Sequence, residues 1–504
     1  MGRSVCAFIV IAMLSGAISA APTGVPQTPD MVTAEAVIRP VKTSHRIMLA
    51  QTEVKYTAWF TERLLYGAQK APLASISATS YVRDNVTDRA GRPVLFAFNG
   101  GPGASSTPLH FNAFGPKHFE IDASGARRLV DNPASLIDAA DLVFIDPVGT
   151  GFSRERVGAV SGRYWSPEGD AQAALELIRQ WLRDNGREQS PIFIAGESYG
   201  GFRLALMMQH AQDLPIAGLV LISPMLDATG SASAIGNDLP YILTLPSMAA
   251  AAWEHDRIDR HDRNLDQTFA EAAQFAQHDY ALGLLQGSAI PLVERDRLAA
   301  TMAAFIGLPV EEIERANLRI APQDFLEHLL GDEGRIVSRL DTRISAPKPR
   351  TPLNPNRPAA ANDPALGLGA SNVIKSESVK TYMQNELKVE TERDYLSLTL
   401  DVNFRWNWCD MLYGRDHKEP SFYLNPTPSI AQIMNQRPKM RLLLLGGYYD
   451  MAVPLLEPRY ALSHAGVPLD RVSMYAFASG HSPLEGEENL RKGSKLVRDF
   501  LRGD

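Results

Sequence analysis

Apolar and polar positions change rhythm three times along the chain, and each change marks an architectural boundary. From residue 46 to residue 90 they alternate. His45–Thr52, Val54–Phe60 and Ala74–Val82 predict strands of an antiparallel pair or more, and Asp84–Gly91 a polar connection. Compact apolar runs then take over at Pro93–Phe98, Asp141–Asp146, Ile192–Ala195 and Ile216–Ser223. Between them Glu168–Asn185 reads as an amphipathic helix, with Ala171, Ala174, Leu175, Ile178 and Leu182 on its apolar side. Apolar runs separated by helices predict a mostly parallel sheet covered on both faces.

The strand rhythm stops near Ala228 and resumes after Arg437. In between, Met248–His255, Leu265–Leu284 and Leu292–Phe305 predict helices. Glu311–Arg315 and Asp324–Leu330 predict shorter ones, and residues 342–367 are Pro- and Asn-rich and irregular. Strands return at Met440–Leu445 and Arg471–Ala478, with helices at Leu455–His464 and Glu487–Leu501. This return favours an insertion over a separate helical domain. The expected organisation is an α/β domain made of residues 22–227 and 438–504, with a mostly helical cap inserted at 228–437. Such a cap selects substrate and excludes water.

Composition adds two restrictions. The 504 residues carry a formal net charge of -7 and no long basic block, so nucleic acid is not an expected partner. Residues 1–21 read as a signal peptide. Arg3 gives the positive charge, Cys6–Leu14 an apolar run too short for a comfortable membrane span, and Ser19, Ala20 and Ala21 the small residues before cleavage. The expected product is exported, to the periplasm or the medium, with no membrane span after signal removal. Cys6 leaves with the signal, so the mature chain keeps only Cys409 and has no internal disulfide, which fits bacterial export. Cys409 is expected to be a small buried hydrophobe. No zinc-site spacing or metal-loop signature occurs.

The chemistry centres on Gly196-Glu197-Ser198-Tyr199-Gly200, a match to G-x-S-x-G. It follows the apolar run Ile192–Ala195 and precedes Leu204–His210, which suits a helix. That context turns a short pattern into a nucleophile elbow, in which a tight strand-to-helix turn points the serine hydroxyl out at the carboxyl edge of the sheet. A serine hydroxyl is a weak nucleophile. It needs an imidazole to take its proton, and the imidazole needs an oriented partner. In α/β-hydrolases these follow in the order serine, acid, histidine. Here Ser198 is followed by Asp450 and His481, each just past a predicted strand. Asp227 competes as the acid, and His255 and His464 compete less well as the base.

The oxyanion of a tetrahedral intermediate needs two donors. Asn99-Gly100-Gly101-Pro102-Gly103 follows a strand, and its glycines let backbone N–H groups turn inward, so the candidates are the N–H groups of Gly101 and Tyr199. Neither nucleotide-binding glycine pattern is present in this loop. Glu197 is unusual beside a nucleophile, because its charge opposes an incoming anion unless burial or a hydrogen bond keeps it protonated.

At these residues the chain resembles the serine carboxypeptidases, the S10 peptidase family of the α/β-hydrolase superfamily. NGGPGASS at Asn99–Ser106 is similar to the family's NGGPGCSS, and DPVGTGFS at Asp146–Ser153 to its second glycine block. GESYGG at Gly196–Gly201 matches the nucleophile block, YYDMAVP at Tyr448–Pro454 resembles the acid segment, and Gly480-His481 the histidine segment. The resemblance implies hydrolysis of the last peptide bond of a substrate with a free C-terminal carboxylate, bound through Asn99 and Glu197, by Ser198 with His481 and Asp450. It implies no cofactor.

The chain departs from the family at Ala97, where a tryptophan is usual, and at Ala104, where the motif has cysteine. Ala113, with Asn112 beside it, stands where a second glutamate is frequent. Ser482-Pro483 follows the histidine where an apolar residue is common. The scaffold also supports esterases, acyltransferases and aminopeptidases, and a catalytically silent peptide-binding protein is a further alternative.

Overall fold

Nine strands of the computed structural model form one sheet whose parallel part presents its carboxyl edge to the insertion. The structure describes residues 37–503 other than 68–70, 122–126, 157–161, 232–233, 350–358, 370 and 413–423. The expected signal peptide, residues 1–21, lies outside the described residues.

In chain order the strands are β1 (Val41–Leu49), β2 (Thr52–Tyr66), β3 (Pro72–Arg83), β4 (Val94–Phe98), β5 (Asp141–Asp146), β6 (Ile192–Glu197), β7 (Ile216–Ile222), β8 (Arg441–Gly447) and β9 (Val472–Phe477). Their order across the sheet is β1-β2-β3-β5-β4-β6-β7-β8-β9. Pairing is antiparallel from β1 to β5 and parallel from there to β9. The alternation of strands and helices predicts the mostly parallel part, and the whole is the α/β-hydrolase fold that the family resemblance implies. The middle strands β4, β5 and β6 are buried at every position. Two apolar clusters, one holding Phe96, Ile194 and Leu444 and the other Leu95, Ala195 and Leu445, cover the two faces.

Helix α1 (Pro167–Asn185) starts where the chemistry favours a start. Ser166 accepts the Gly169 N–H, Pro167 opens the helix, Glu168 and Asp170 lie in the first turn, and Gly186 closes it in the left-handed region. Helix α2 (Tyr199–Met207) begins directly after Ser198, earlier than the predicted Leu204.

Between β7 and β8, which are neighbours in the sheet, the chain forms the insertion. Its helices Leu239–Glu254, Leu265–Phe275 and Leu292–Ile306 surround a core of their own that includes Leu245, Tyr280, Leu298 and Phe325. Met451, from the loop after β8, is buried in that same core.

Three local expectations need correction. The strand predicted over His45–Thr52 ends at Leu49, and Ala50 and Gln51 turn with φ of 44° and 69°. Hairpin closure with positive φ at both turn residues overrides their poor turn propensity. The helix predicted from Met248 begins at Leu239. Pro240 is tolerated in its first turn, and Pro246 sits inside it. Cys409 is half-buried on the short helix Cys409–Leu412 rather than fully buried. No helix among the described residues is long and apolar enough to cross a membrane.

Candidate active site

The elbow is built by sterics before it is built by chemistry. Ser198 takes φ 60° and ψ -129°, a conformation that side chains rarely adopt. It is held there by main-chain bonds. Its N–H donates to the Ile222 carbonyl at 3.0 Å, and its carbonyl accepts from Gly201 at 2.9 Å and from Met225 at 3.0 Å. The turn leaves no room beside it. A Cβ on Gly196 would meet the Gly200 carbonyl oxygen at 2.5 Å, and one on Gly201 would meet Pro224 at 2.5 Å. Gly196 of the motif and Gly201 just after it are therefore required by contact.

The glycine loop after β4 lies over the start of α2. A Cβ on Gly100 would fall 2.4 Å from the Tyr199 nitrogen and 2.8 Å from that of Gly200. Only a bare backbone comes this close, so the loop and the helix N-terminus share one small volume. Arg203, buried on α2, fixes the loop from below. Its Nη1 donates to the Asn99 carbonyl at 2.6 Å, and its Nε donates to Asp170 at 2.6 Å. Asp146, buried at the end of β5, pins the loop from the side by accepting the Ser106 N–H at 2.9 Å and its hydroxyl at 2.7 Å.

Asp450 and His481 come from the loops after β8 and β9, next to each other at the same sheet edge. His481 Nδ1 lies 2.8 Å from Asp450 Oδ2. The other oxygen of Asp450 accepts the N–H groups of Ala452 at 2.8 Å and Val453 at 2.9 Å, so the carboxylate cannot rotate away. Burial alone would lower the affinity of His481 for a proton. The Asp450 carboxylate, by charge and hydrogen bond, and Glu197 beyond it outweigh that, and the imidazole moves up from its ordinary value. No hydrogen bond from the Ser198 hydroxyl to this imidazole is formed among the described residues. Such bonds are often long before substrate arrives.

The competing residues are occupied elsewhere. Asp227 accepts from Thr229 N–H at 2.8 Å and Asn425 Nδ2 at 2.8 Å. His255 Nε2 faces the Thr342 carbonyl at 2.6 Å, and His464 is exposed against Tyr460.

Glu197 is buried, and its environment carries a clear chemical signature. Burial pushes its carboxyl up to about 7, against the opposing pull of His481 and of hydrogen bonds from Asn99 and Ser482. The Ser482 hydroxyl donates to Glu197 Oε1 at 3.2 Å. Sequence reading marked Ser482 only as a departure. Its contact with Glu197 was not legible, because 285 positions separate them. Beside this pair opens a cavity of about 150 Å³ lined by Leu109, Asn112, Ala113, Ser482, Leu484 and Glu485, among others. The insertion also closes on the glycine loop. Ser105 N–H donates to the Ser397 carbonyl and Thr399 N–H to the Gly103 carbonyl. Trp406 and Trp408 meet the Tyr199 ring edge-on at 5.3 and 5.8 Å. Among the described residues no cluster of His, Cys, Asp and Glu is arranged to hold a metal ion.

Residues 81–481 match the family model described as serine carboxypeptidase, peptidase S10. Serine carboxypeptidase-like 36 of Arabidopsis thaliana is 31% identical over 144 residues, covering 27% of this chain and 29% of the relative. Carboxypeptidase Y of Saccharomyces cerevisiae is 34% identical over 115 residues, covering 23% of this chain and 21% of the relative. The chain thus matches less than a third of the length of these curated relatives. The crystal structure of Kex1(delta)p, a prohormone-processing carboxypeptidase from Saccharomyces cerevisiae, superposes with a TM-score of 0.51 at 13% identity. That match covers 88% of this chain and 91% of the other, a likeness of fold.

Proposed function

The chain belongs to the serine carboxypeptidase family, peptidase S10, and from that premise we propose that it removes the C-terminal residue of a peptide through an acyl-enzyme on Ser198. The hydroxyl oxygen of Ser198 attacks the last peptide carbonyl carbon as its proton passes to His481 Nε2. The oxyanion takes hydrogen bonds from the N–H groups of Gly101 and Tyr199, a contribution of about 3 kcal/mol per donor. The C–N bond breaks as His481 returns the proton to the departing amine. Water then attacks the acyl carbon, giving its proton to His481, which restores the Ser198 hydroxyl as the peptide acid leaves. Asp450 keeps the proton-accepting nitrogen of His481 turned towards the serine throughout.

The observation that carries the carboxypeptidase reading, over an esterase of the same fold, is the buried Glu197 carboxyl held by Asn99 and Ser482 beside the nucleophile. In its protonated form it donates a hydrogen bond to the substrate's terminal carboxylate, and Asn99 supplies another. The test is an N-blocked dipeptide offered with a free and with an amidated C-terminus. The free acid is cleaved, and the amide loses at least about a hundredfold in kcat/KM, as when a charge-assisted contact is removed. Equal cleavage of both, or cleavage of aryl esters alone, overturns the reading. The signal-like residues 1–21 support export.

The titration of Glu197 gives a second expectation. Below about 7 the carboxyl is protonated and donates; above it the group ionises and repels the substrate carboxylate. KM for a free-acid dipeptide therefore rises as pH passes through about 7, whereas KM for Glu197→Gln, whose amide always donates, stays flat. A KM profile of wild type as flat as that of the variant removes Glu197 from the carboxylate site.

The cavity beside Glu197 and Ser482 is where we place the side chain of the departing residue. Among the described residues, the one charged side chain of its lining apart from Glu197 is Glu485. Dipeptides ending in lysine should therefore exceed those ending in glutamate by about tenfold or more in kcat/KM, and Glu485→Gln should narrow that ratio. Steady-state rates on a matched dipeptide set decide it.

A further inference from the structure

The insertion does more than cover the cleft. Its run Arg339–Arg343 lies across both loops that carry the acid and the base. The Arg339 carbonyl accepts the Met451 N–H at 3.0 Å, and the Thr342 N–H donates to the Tyr449 carbonyl at 3.1 Å, so Asp450 is held by one bond on either side. The Leu340 carbonyl accepts the His481 N–H at 2.7 Å, and Arg343 Nη1 donates to the Ala478 carbonyl at 3.0 Å. The loop of the base is pressed directly on the run. A Cβ on Gly480 would meet the Leu340 carbonyl oxygen at 2.4 Å and Asp341 Cβ at 2.5 Å.

The run is stiff in itself. Asp363 accepts from the Arg339 N–H at 2.7 Å and the Ser338 hydroxyl at 2.6 Å, and that hydroxyl accepts from Leu340 and Asp341 N–H. Met451, next to the acid, is anchored in the core of the insertion.

Charge is distributed unevenly along this run. Arg343 is paired with Asp341 at 2.6 Å, and the Tyr449 hydroxyl is taken by Glu254. Arg339 follows the acid loop instead, with Nη2 donating to the Ala452 carbonyl at 3.3 Å. Among the described residues no carboxylate forms an ion pair with its guanidinium. The charged groups facing it are Asp450 and Asp363. Those facing His481 are Asp450, Glu197 and Arg339.

Building on the serine-hydrolase reading above, we propose that Arg339–Arg343 is a positioning element of the reaction. It holds the Asp450 and His481 loops in register and sets the fixed positive charge of Arg339 beside them. That charge opposes protonation of His481 and so offsets part of the upward pull of Asp450 and Glu197. The imidazole consequently remains a free base, able to accept the serine proton, to lower pH than the two carboxyls alone would allow.

The test uses the full chain and two readouts: kcat/KM on an N-blocked dipeptide, and the rate at which a serine-directed phosphonate labels Ser198, each against pH. Labelling needs no peptidase activity. A chain that labels but releases no amino acid therefore defeats the carboxypeptidase reading and leaves this proposal measurable. Arg339→Gln should move the acid limb of both profiles up by about half a pH unit or more, while Arg339→Lys, which keeps the charge, holds it in place. Arg343→Gln should lower kcat about threefold or more without moving the limb, since it loosens a tie and removes a charge that is already paired. If Arg339→Gln does not fold, Arg339→Met serves in its place. An acid limb unmoved by loss of the charge, or moved equally by Arg339→Lys, overturns the proposal.

Discussion

On the acyl-enzyme mechanism proposed above, Ser198→Ala should lower kcat by about a millionfold, leaving only the residual acceleration that binding and the oxyanion donors provide. The size follows from the role. The alanine variant has no atom to form the acyl intermediate, and a water in its place is neither held nor aligned. The fold should be indifferent to the change. The Ser198 side chain makes no capping bond to α2, and its unusual backbone is fixed by the main-chain bonds to Ile222, Gly201 and Met225, which alanine keeps. The measurement is single-turnover hydrolysis of an N-blocked dipeptide, with a melting curve beside it. A variant that folds and retains more than about a thousandth of the activity shows that another group supplies the nucleophile.

Asp450→Asn is the second large effect, about ten-thousandfold in kcat, and its cause is the identity of one proton. In the native chain one oxygen of Asp450 accepts the N–H groups of Ala452 and Val453, and the other faces His481 Nδ1. Asparagine satisfies the backbone with its oxygen, which turns its NH₂ towards the ring. His481 Nδ1 must then accept, so the proton sits on Nε2, the nitrogen that has to be bare to receive the serine proton. Because the backbone bonds survive, the loop should stay folded and the loss should appear in the chemical step. Phosphonate labelling of Ser198 must slow in parallel. Labelling at the native rate by a variant inactive on peptides shows that Asp450 acts elsewhere.

Much of this site was legible from short stretches, because each carries its constraint locally. Ile192–Ala195 followed by G-x-S-x-G predicts a strand and a sharp turn, and the contacts at Gly196 and Gly201 explain why those positions are small. Asp450 and His481 follow strands whose apolar runs are read directly, and parallel pairing of β8 with β9 does the rest. Long-range contacts between polar residues were not legible. Neither the Ser482 bond to Glu197 nor the seat of Arg339 along the acid loop leaves a periodic or spacing signal. The insertion was legible as helical but not in its parts. Thr427–Gln436 and Glu377–Asn385 are not among the predicted helices, although Ile430, Ile433 and Met434 in the first and Val379, Tyr382 and Met383 in the second fall on one helical face; each stripe is only about two turns long, and the first follows a Pro-rich lead. Sequence alone puts the start of α2 late, at Leu204, because Gly200 and Gly201 depress helix propensity where packing against β6 decides.

The order of the strands along the chain has a consequence for when the enzyme awakens. Ser198 and the glycine loop emerge with the first part of the sheet, whereas β8, β9 and their loops are synthesised last, and the core of the insertion is complete only once Met451 of that late segment joins it. A nascent or C-terminally clipped polypeptide therefore carries an unassisted hydroxyl. On the mechanism proposed above, hydrolytic capability would arrive only with the final segment.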